Sequence, residues 1–137
     1  MDGLSFMKVL NGTHTLAITA SDQKTGAVHN LTFTKSVTAA SVTLARPMTA
    51  DAPISVCVLS VTGSIPADAQ HSVKVTNNAL DDEPVWEDAT GDVKNGANYI
   101  FTNKTAVNGF AFNFKVEVER GESGLGGYIS SIQGGFQ

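Results

Sequence analysis

Six acidic residues crowd one stretch of this chain: Asp81, Asp82, Glu83, Glu87, Asp88 and Asp92, set around Pro84 and Trp86. Carboxylate oxygens are hard ligands that suit calcium. The order lacks the alternating acids, central glycine and distal glutamate of a calcium loop. Glycoside hydrolysis needs two carboxyl groups opposed across a cleft, and one crowded loop does not supply them. The plainer reading is a solvated loop whose charge blunts a sheet edge. Trp86 is the only tryptophan. An indole flanked by carboxylates can stack on a sugar, since aromatic rings join an apolar face to a polar rim. Tyr99 and Tyr128 can join such a platform, with Asp82 and Glu87 as polar partners. These five are the candidate ligand-binding residues. The competing reading makes Trp86 a plug in the core or at its rim, and Tyr128 a strand residue with its hydroxyl in water.

Other chemistry finds little support. His14, His29 and His71 are scattered, and none has a His or Cys partner at metal-ligand spacing. No Gly-x-Ser-x-Gly elbow occurs. The glycines at 121–127 lead into no Lys-Ser/Thr, so they do not form a phosphate cradle. Cys57, the one cysteine, lies in an apolar run and reads as a buried thiol, with no activating His nearby. No metal, no cofactor and no catalytic residue is expected.

The elements that must hold these residues are short. Charged residues make up 16% of the chain, against roughly 25% in an average soluble domain. Polar surface must come mostly from Thr, Ser, Asn and Gly, which suits strands and turns. The net charge of −4 and the scattered Lys94, Lys104, Lys115 and Arg120 argue against a nucleic-acid partner. No apolar run reaches membrane-spanning length, so no membrane insertion is expected. Residues 1–10 lack the pattern of a signal peptide. The Asn-x-Thr triplets at Asn11, Asn30 and Asn103 read as turn and strand residues.

Alternation over residues 14–20, with Leu16, Ile18 and Ala20 in phase, predicts a half-buried strand. Residues 21–26 form a turn, and Leu31 and Phe33 mark a second strand. Together they predict a β-hairpin. Residues 4–10 read as a helical turn or an edge strand. After residue 40, Val42 and Leu44 mark one strand, and the apolar run 54–61 reads as a strand buried on both faces. Val73 and Val75 mark the next, pointing inward. Residues 77–92 read as a long loop with a short edge strand at Val85 and Trp86. Residues 94–98 form a turn and residues 99–102 a strand. In residues 110–118, Phe110, Phe112, Phe114, Val116 and Val118 alternate with mostly polar residues, so one face is core and the other wet. A hairpin loop at 121–127 leads to a last strand over 128–132. No segment carries a helical period. The expected fold is all-β: an antiparallel β-sandwich, Ig-like or jelly-roll-like, over residues 40–137. It is preceded by a hairpin in residues 1–37 that alone would be marginal in water.

Two groups of residues carry a family resemblance. Val9-Leu10-Asn11-Gly12-Thr13-His14-Thr15-Leu16, Ile18-Thr19-Ala20-Ser21-Asp22 and Leu31-Thr32-Phe33-Thr34-Lys35 resemble the last two strands of a bacterial Ig-like repeat. Gly63-Ser64-Ile65-Pro66, Val75-Thr76-Asn77-Asn78, Pro84-Val85-Trp86-Glu87-Asp88, Phe101-Thr102-Asn103-Lys104, residues 109–114 and Gly126-Gly127-Tyr128-Ile129 form the second group. They resemble a C-terminal module that follows such repeats in structural proteins of phages and prophages of Gram-positive bacteria. The resemblance spans nearly the whole chain and brings no catalytic motif. It implies a non-enzymatic virion structural or appendage protein, working in a tail or in surface display. The implied partners are other virion subunits and further copies of the chain, with a host-surface glycan as a further contact. The alternative is a carbohydrate-binding module of a bacterial surface protein. The upstream strands of the Ig-like repeat are missing. The hairpin's apolar face, Leu16, Ile18, Leu31 and Phe33, is therefore expected to dock on the C-terminal module or on another subunit, unless the chain is a fragment.

Overall fold

The computed structural model describes residues 11–22 and 24–137. The expected element at residues 4–10 lies outside them. The chain divides into two compact units, Met1–Thr38 and Ala39–Gln137.

In the first unit, β1 (Gly12–Ser21) pairs antiparallel with β2 (Gly26–Lys35), from Gly12 opposite Lys35 to Ser21 opposite Gly26. Asp22 shapes the turn. Its Oδ1 accepts from the backbone N–H of Lys24 (2.8 Å) and of Thr25 (2.6 Å). These bonds hold the Asp22 carboxyl below the ordinary aspartate range, the Thr25 bond most of all. Leu16 lies opposite Leu31, and His14 opposite Phe33 with their rings 5.6 Å apart. The alternation thus gathers the apolar residues on one face, as period two requires.

The second unit is an antiparallel β-sandwich. Its strands are β3 (Ala39–Thr43), β4 (Met48–Thr49), β5 (Val56–Ser64), β6 (Gln70–Thr76), β7 (Glu87–Asp88), β8 (Tyr99–Ile100), β9 (Ala111–Glu119) and β10 (Tyr128–Phe136). One sheet runs β3-β9-β6-β7, with β4 also paired to β9, and the other runs β10-β5-β8. Cys57 and Leu59 of β5 meet Val73 and Val75 of β6 and Phe112, Phe114 and Val116 of β9 in the core. Phe112 stacks on Phe136 across the sandwich, ring centroids 5.2 Å apart. Fully burying side chains of this size stabilises each by about 1.5–3 kcal/mol.

Several expectations change. The run 54–61 is not buried on both faces: Cys57 and Leu59 are buried while Val58 and Ser60 face out. β5 lines only one side of the core, so alternate residues meet solvent whatever their polarity. In β9 the wet face is incomplete, because Ala111 and Asn113 are buried beside Phe112 and Phe114. Asn113 lies under the chain at Leu44, accepting from its N–H at 3.1 Å and donating to its carbonyl at 3.2 Å. The segment 121–127 is not a hairpin loop. β10 pairs with β5 and not with β9, so the loop carries the chain from one sheet to the other. Where β5 and β10 converge, glycine is required. A Cβ at Gly63 would stand 2.1 Å from the Tyr128 carbonyl oxygen, and one at Gly127 would stand 2.3 Å from that of Ser64.

The short edge strand falls at Glu87–Asp88 rather than at Val85 and Trp86, and a six-residue helix, α1 (Thr90–Asn95), follows it. The helix closes on Gly96, whose φ of 65° is the left-handed cap that glycine adopts freely. Among the described residues no helix is long and apolar enough to cross a membrane.

Candidate functional site

The acidic stretch is built into the fold. β7 hydrogen-bonds to β6, Val75 opposite Glu87 and Lys74 opposite Asp88. That register turns Glu87 to the inner side, beside Val75 and Phe114. There the Glu87 side chain is only 8% exposed. A buried carboxylate is costly unless its lone pairs are filled. Oε2 accepts from the Tyr99 hydroxyl (2.7 Å), the Thr102 N–H (2.8 Å) and the Thr102 hydroxyl (2.8 Å), and Oε1 accepts from the Asn103 N–H (2.8 Å). Desolvation, the strongest single influence, acts to raise the Glu87 pKa. The hydrogen bonds from Thr102, Tyr99 and Asn103 together outweigh it and hold the carboxyl below the ordinary glutamate range. The same contact raises the Tyr99 phenol, after desolvation as the larger cause.

A second polar knot lies beside it. Asn77, fully buried, donates from Nδ2 to the carbonyls of Ile54 (2.9 Å) and Asn103 (2.9 Å), and its Oδ1 accepts from Asn103 Nδ2 (2.8 Å). The Asn78 side chain accepts from the Thr76 hydroxyl (2.9 Å) and the Val85 N–H (2.9 Å) and donates to Asp81 (2.8 Å). Asp81 Oδ1 in turn accepts from the N–H groups of Val107 (2.9 Å) and Asn108 (2.7 Å). The Asn108 bond is the leading reason its carboxyl sits below the usual range. The Lys104 ammonium donates to the Phe101 carbonyl. Together these bonds tie the loop after β6 to the loop between β8 and β9. Loops that carry buried polar groups need such closure.

The loop is therefore not simply solvated. Asp81, Glu87 and Asp88 each hold backbone, Asp88 by accepting from the Thr90 N–H at 2.9 Å, while Asp82 and Glu83 are exposed. The structure does not bring the five candidate residues together. Glu87 and Tyr99 touch. Trp86 precedes the inward Glu87 and so turns to the outer face of the five-stranded sheet. There it is half-buried, with the Lys115 ammonium 5.6 Å from its ring centroid. Tyr128 is 66% exposed at the far end of the other sheet. It lies opposite Ser64, whereas Tyr99 lies opposite Cys57. That separation along β5 is about 23 Å at a strand's rise per residue. Asp82 faces solvent.

Composition gave no sign of Asn77, Asn78 and Asn103, which organise this region. The sequence signal was the polar run of Thr76, Asn77 and Asn78 directly after an inward-facing Val73 and Val75. Among the described residues no cluster of His, Cys, Asp and Glu can hold a metal ion. One open cleft of about 240 Å³ lies between the ends of β5 and β10 and Asn98. Cys57 borders it, but burial, aided by the charges of Asp92 and Glu87, pushes the thiol up to about 12. A neutral thiol of that kind is a poor nucleophile. No protein family, curated protein or solved structure matches the chain.

Proposed function

We propose that this chain is a non-enzymatic structural module of a phage or prophage virion, serving assembly or surface display in a tail or other appendage, with host-surface contact as an accessory role. The observation that carries the reading is the occupation of Glu87. It is the best-placed carboxylate for chemistry, yet Tyr99, Thr102 and Asn103 fill its oxygens with hydrogen bonds that hold loops in place. A group so engaged supports architecture rather than turnover. The virion setting rests on the residue resemblance described above. Other virion subunits are the partners it implies.

Immunogold electron microscopy of purified particles, with an antibody raised against the chain, tests this. Gold on the tail or capsid is the expected outcome. Unlabelled particles with the antigen in the cell-wall fraction would overturn it and favour the alternative, a carbohydrate-binding module on the bacterial surface. One observation favours that second reading: Trp86 stands half-buried on the polar outer face of the five-stranded sheet, beside Lys115. Its fluorescence, the only tryptophan signal in the chain, should shift on titration with cell-wall polysaccharide if the alternative holds.

A further inference from the structure

The three-stranded sheet contains no charged residue in β5, β8 or β10, in a chain with 13 acidic and 9 basic residues. Proteins normally guard sheet edges with short strands or charge. β7 is two residues long and both are acidic, and β8 is also two residues long. β10 is different. It is nine residues long, without charge or proline, and it ends its sheet.

The register tells which backbone groups of β10 are unused. Val56 and Gln137 exchange both backbone hydrogen bonds, each 3.0 Å. Antiparallel ladders alternate bonded and non-bonded pairs. Gly135, Gln133 and Ser131 therefore bond toward Val58, Ser60 and Thr62, their partners in register. Ile132, Gly134 and Phe136 aim their N–H and C=O groups away from β5. Among the described residues no hydrogen bond reaches those groups. An irregularity between Ile129 and Ser131 ends the regular stretch.

We propose that β10 is a self-pairing edge: two copies of this chain join antiparallel along it, about a two-fold axis at Gly134, and fuse their three-stranded sheets into one. The axis carries Ile132 onto the position opposite the partner's Phe136, and Gly134 onto itself. Every outward backbone group of the three residues meets its complement, as a closed isologous interface requires. Charge selects a second copy as the occupant. Each copy carries −4, so copies repel over most of their surface. Along this sheet no acid meets an acid. Val58, exposed on the outer face opposite Gly135, adds apolar area near the seam. The inference deepens the assembly role proposed above without needing a virion. Particle labelling tests the one and sedimentation the other.

Sedimentation velocity on the full chain over a concentration series should show a monomer–dimer equilibrium. The register sets Gln133 opposite the partner's Gly135 in a close, non-bonded pair. Gly135 has open space at its Cβ position and no positive φ, so larger residues fit there. Gln133→Lys with Gly135→Lys should weaken dimerisation roughly tenfold by opposing like charges. Gln133→Lys with Gly135→Glu should restore it. In the unaltered chain, the amides of Ile132, Gly134 and Phe136 should exchange hydrogen as slowly as those of Ser131, Gln133 and Gly135, and faster on dilution. A parent monomeric at every concentration with those three amides unprotected would overturn the proposal. So would a folded Lys/Lys variant that associates as the parent does, or a Lys/Glu variant that stays weak. If the Lys/Lys variant does not fold, amide exchange in the parent decides.

Discussion

The two sheets of the sandwich share one core and treat polarity in opposite ways. The five-stranded sheet carries Lys74, Glu87, Asp88, Lys115, Glu117 and Glu119, and it anchors the buried knot of Asn77, Asn78 and Glu87. The three-stranded sheet carries no charge in its strands, and among the described residues no strand pairs with the outer edge of β10. Core packing does not require that difference, because Cys57, Leu59, Val73 and Phe112 meet in the same cluster. The difference lies in what each sheet does beyond the core. One fixes long loops through satisfied polar groups. The other leaves hydrogen-bonding capacity facing outward.

Phe112→Ala removes the ring that stacks on Phe136 and joins the sheets. It should cost about 3–5 kcal/mol, read by thermal or urea unfolding, with both sheets lost in one transition. An unchanged melting curve would refute the shared core. Glu87→Gln attacks the polar side alone. It puts an amide donor among four donors and should cost about 2 kcal/mol. It should also change acid unfolding. The Glu87 carboxyl is held below its ordinary 4.5, so the folded chain binds fewer protons there. The stability this provides is present above pH 4.5 and is lost as pH falls through the folded value. The variant should lack that loss. Equal acid midpoints for parent and variant would remove Glu87 from the clamp.

The smallest effect concerns His71, on the five-stranded sheet away from the knot. Its Nε2 is buried without a hydrogen-bond partner among the described residues. Desolvation first, then the charge of Lys94, lowers its pKa from 6.5. The unfolded chain therefore takes up a proton before the folded one does, and stability should decline as pH falls below 6.5. His71→Leu should flatten that slope and change stability at neutral pH by about 1 kcal/mol or less. A slope that persists in the variant would place its origin elsewhere.

Strands whose signal lies within their own residues could be read from the sequence. The hairpin of β1 and β2, the inward pair Val73 and Val75, and the stripe Phe112, Phe114 and Val116 all follow from period-two alternation. Partner choice could not be read. The glycines at 121–127 have the local chemistry of a hairpin turn, but β10 pairs with β5, more than 60 residues away in sequence. Helix α1 is too short to show a period. The candidate site was half legible. Of the candidate residues, Glu87 and Tyr99 meet, as a loop clamp. Nothing local distinguishes Glu87 from Glu83 or Asp82, because burial depends on donors supplied by Thr102 and Asn103. Trp86 and Tyr128 share residue chemistry but not a surface, since alternation and topology send them to different sheets.

Cys57 gives the molecule a seal that shows tampering. The residue is only 1% exposed on the inner side of β5, with the thiol held in its protonated form far above neutral pH. Reagents that modify thiols should react only slowly with so covered and protonated a sulfur while the two layers stay shut. The moment of modification therefore marks the parting of the layers, recorded by a single native atom without any inserted probe.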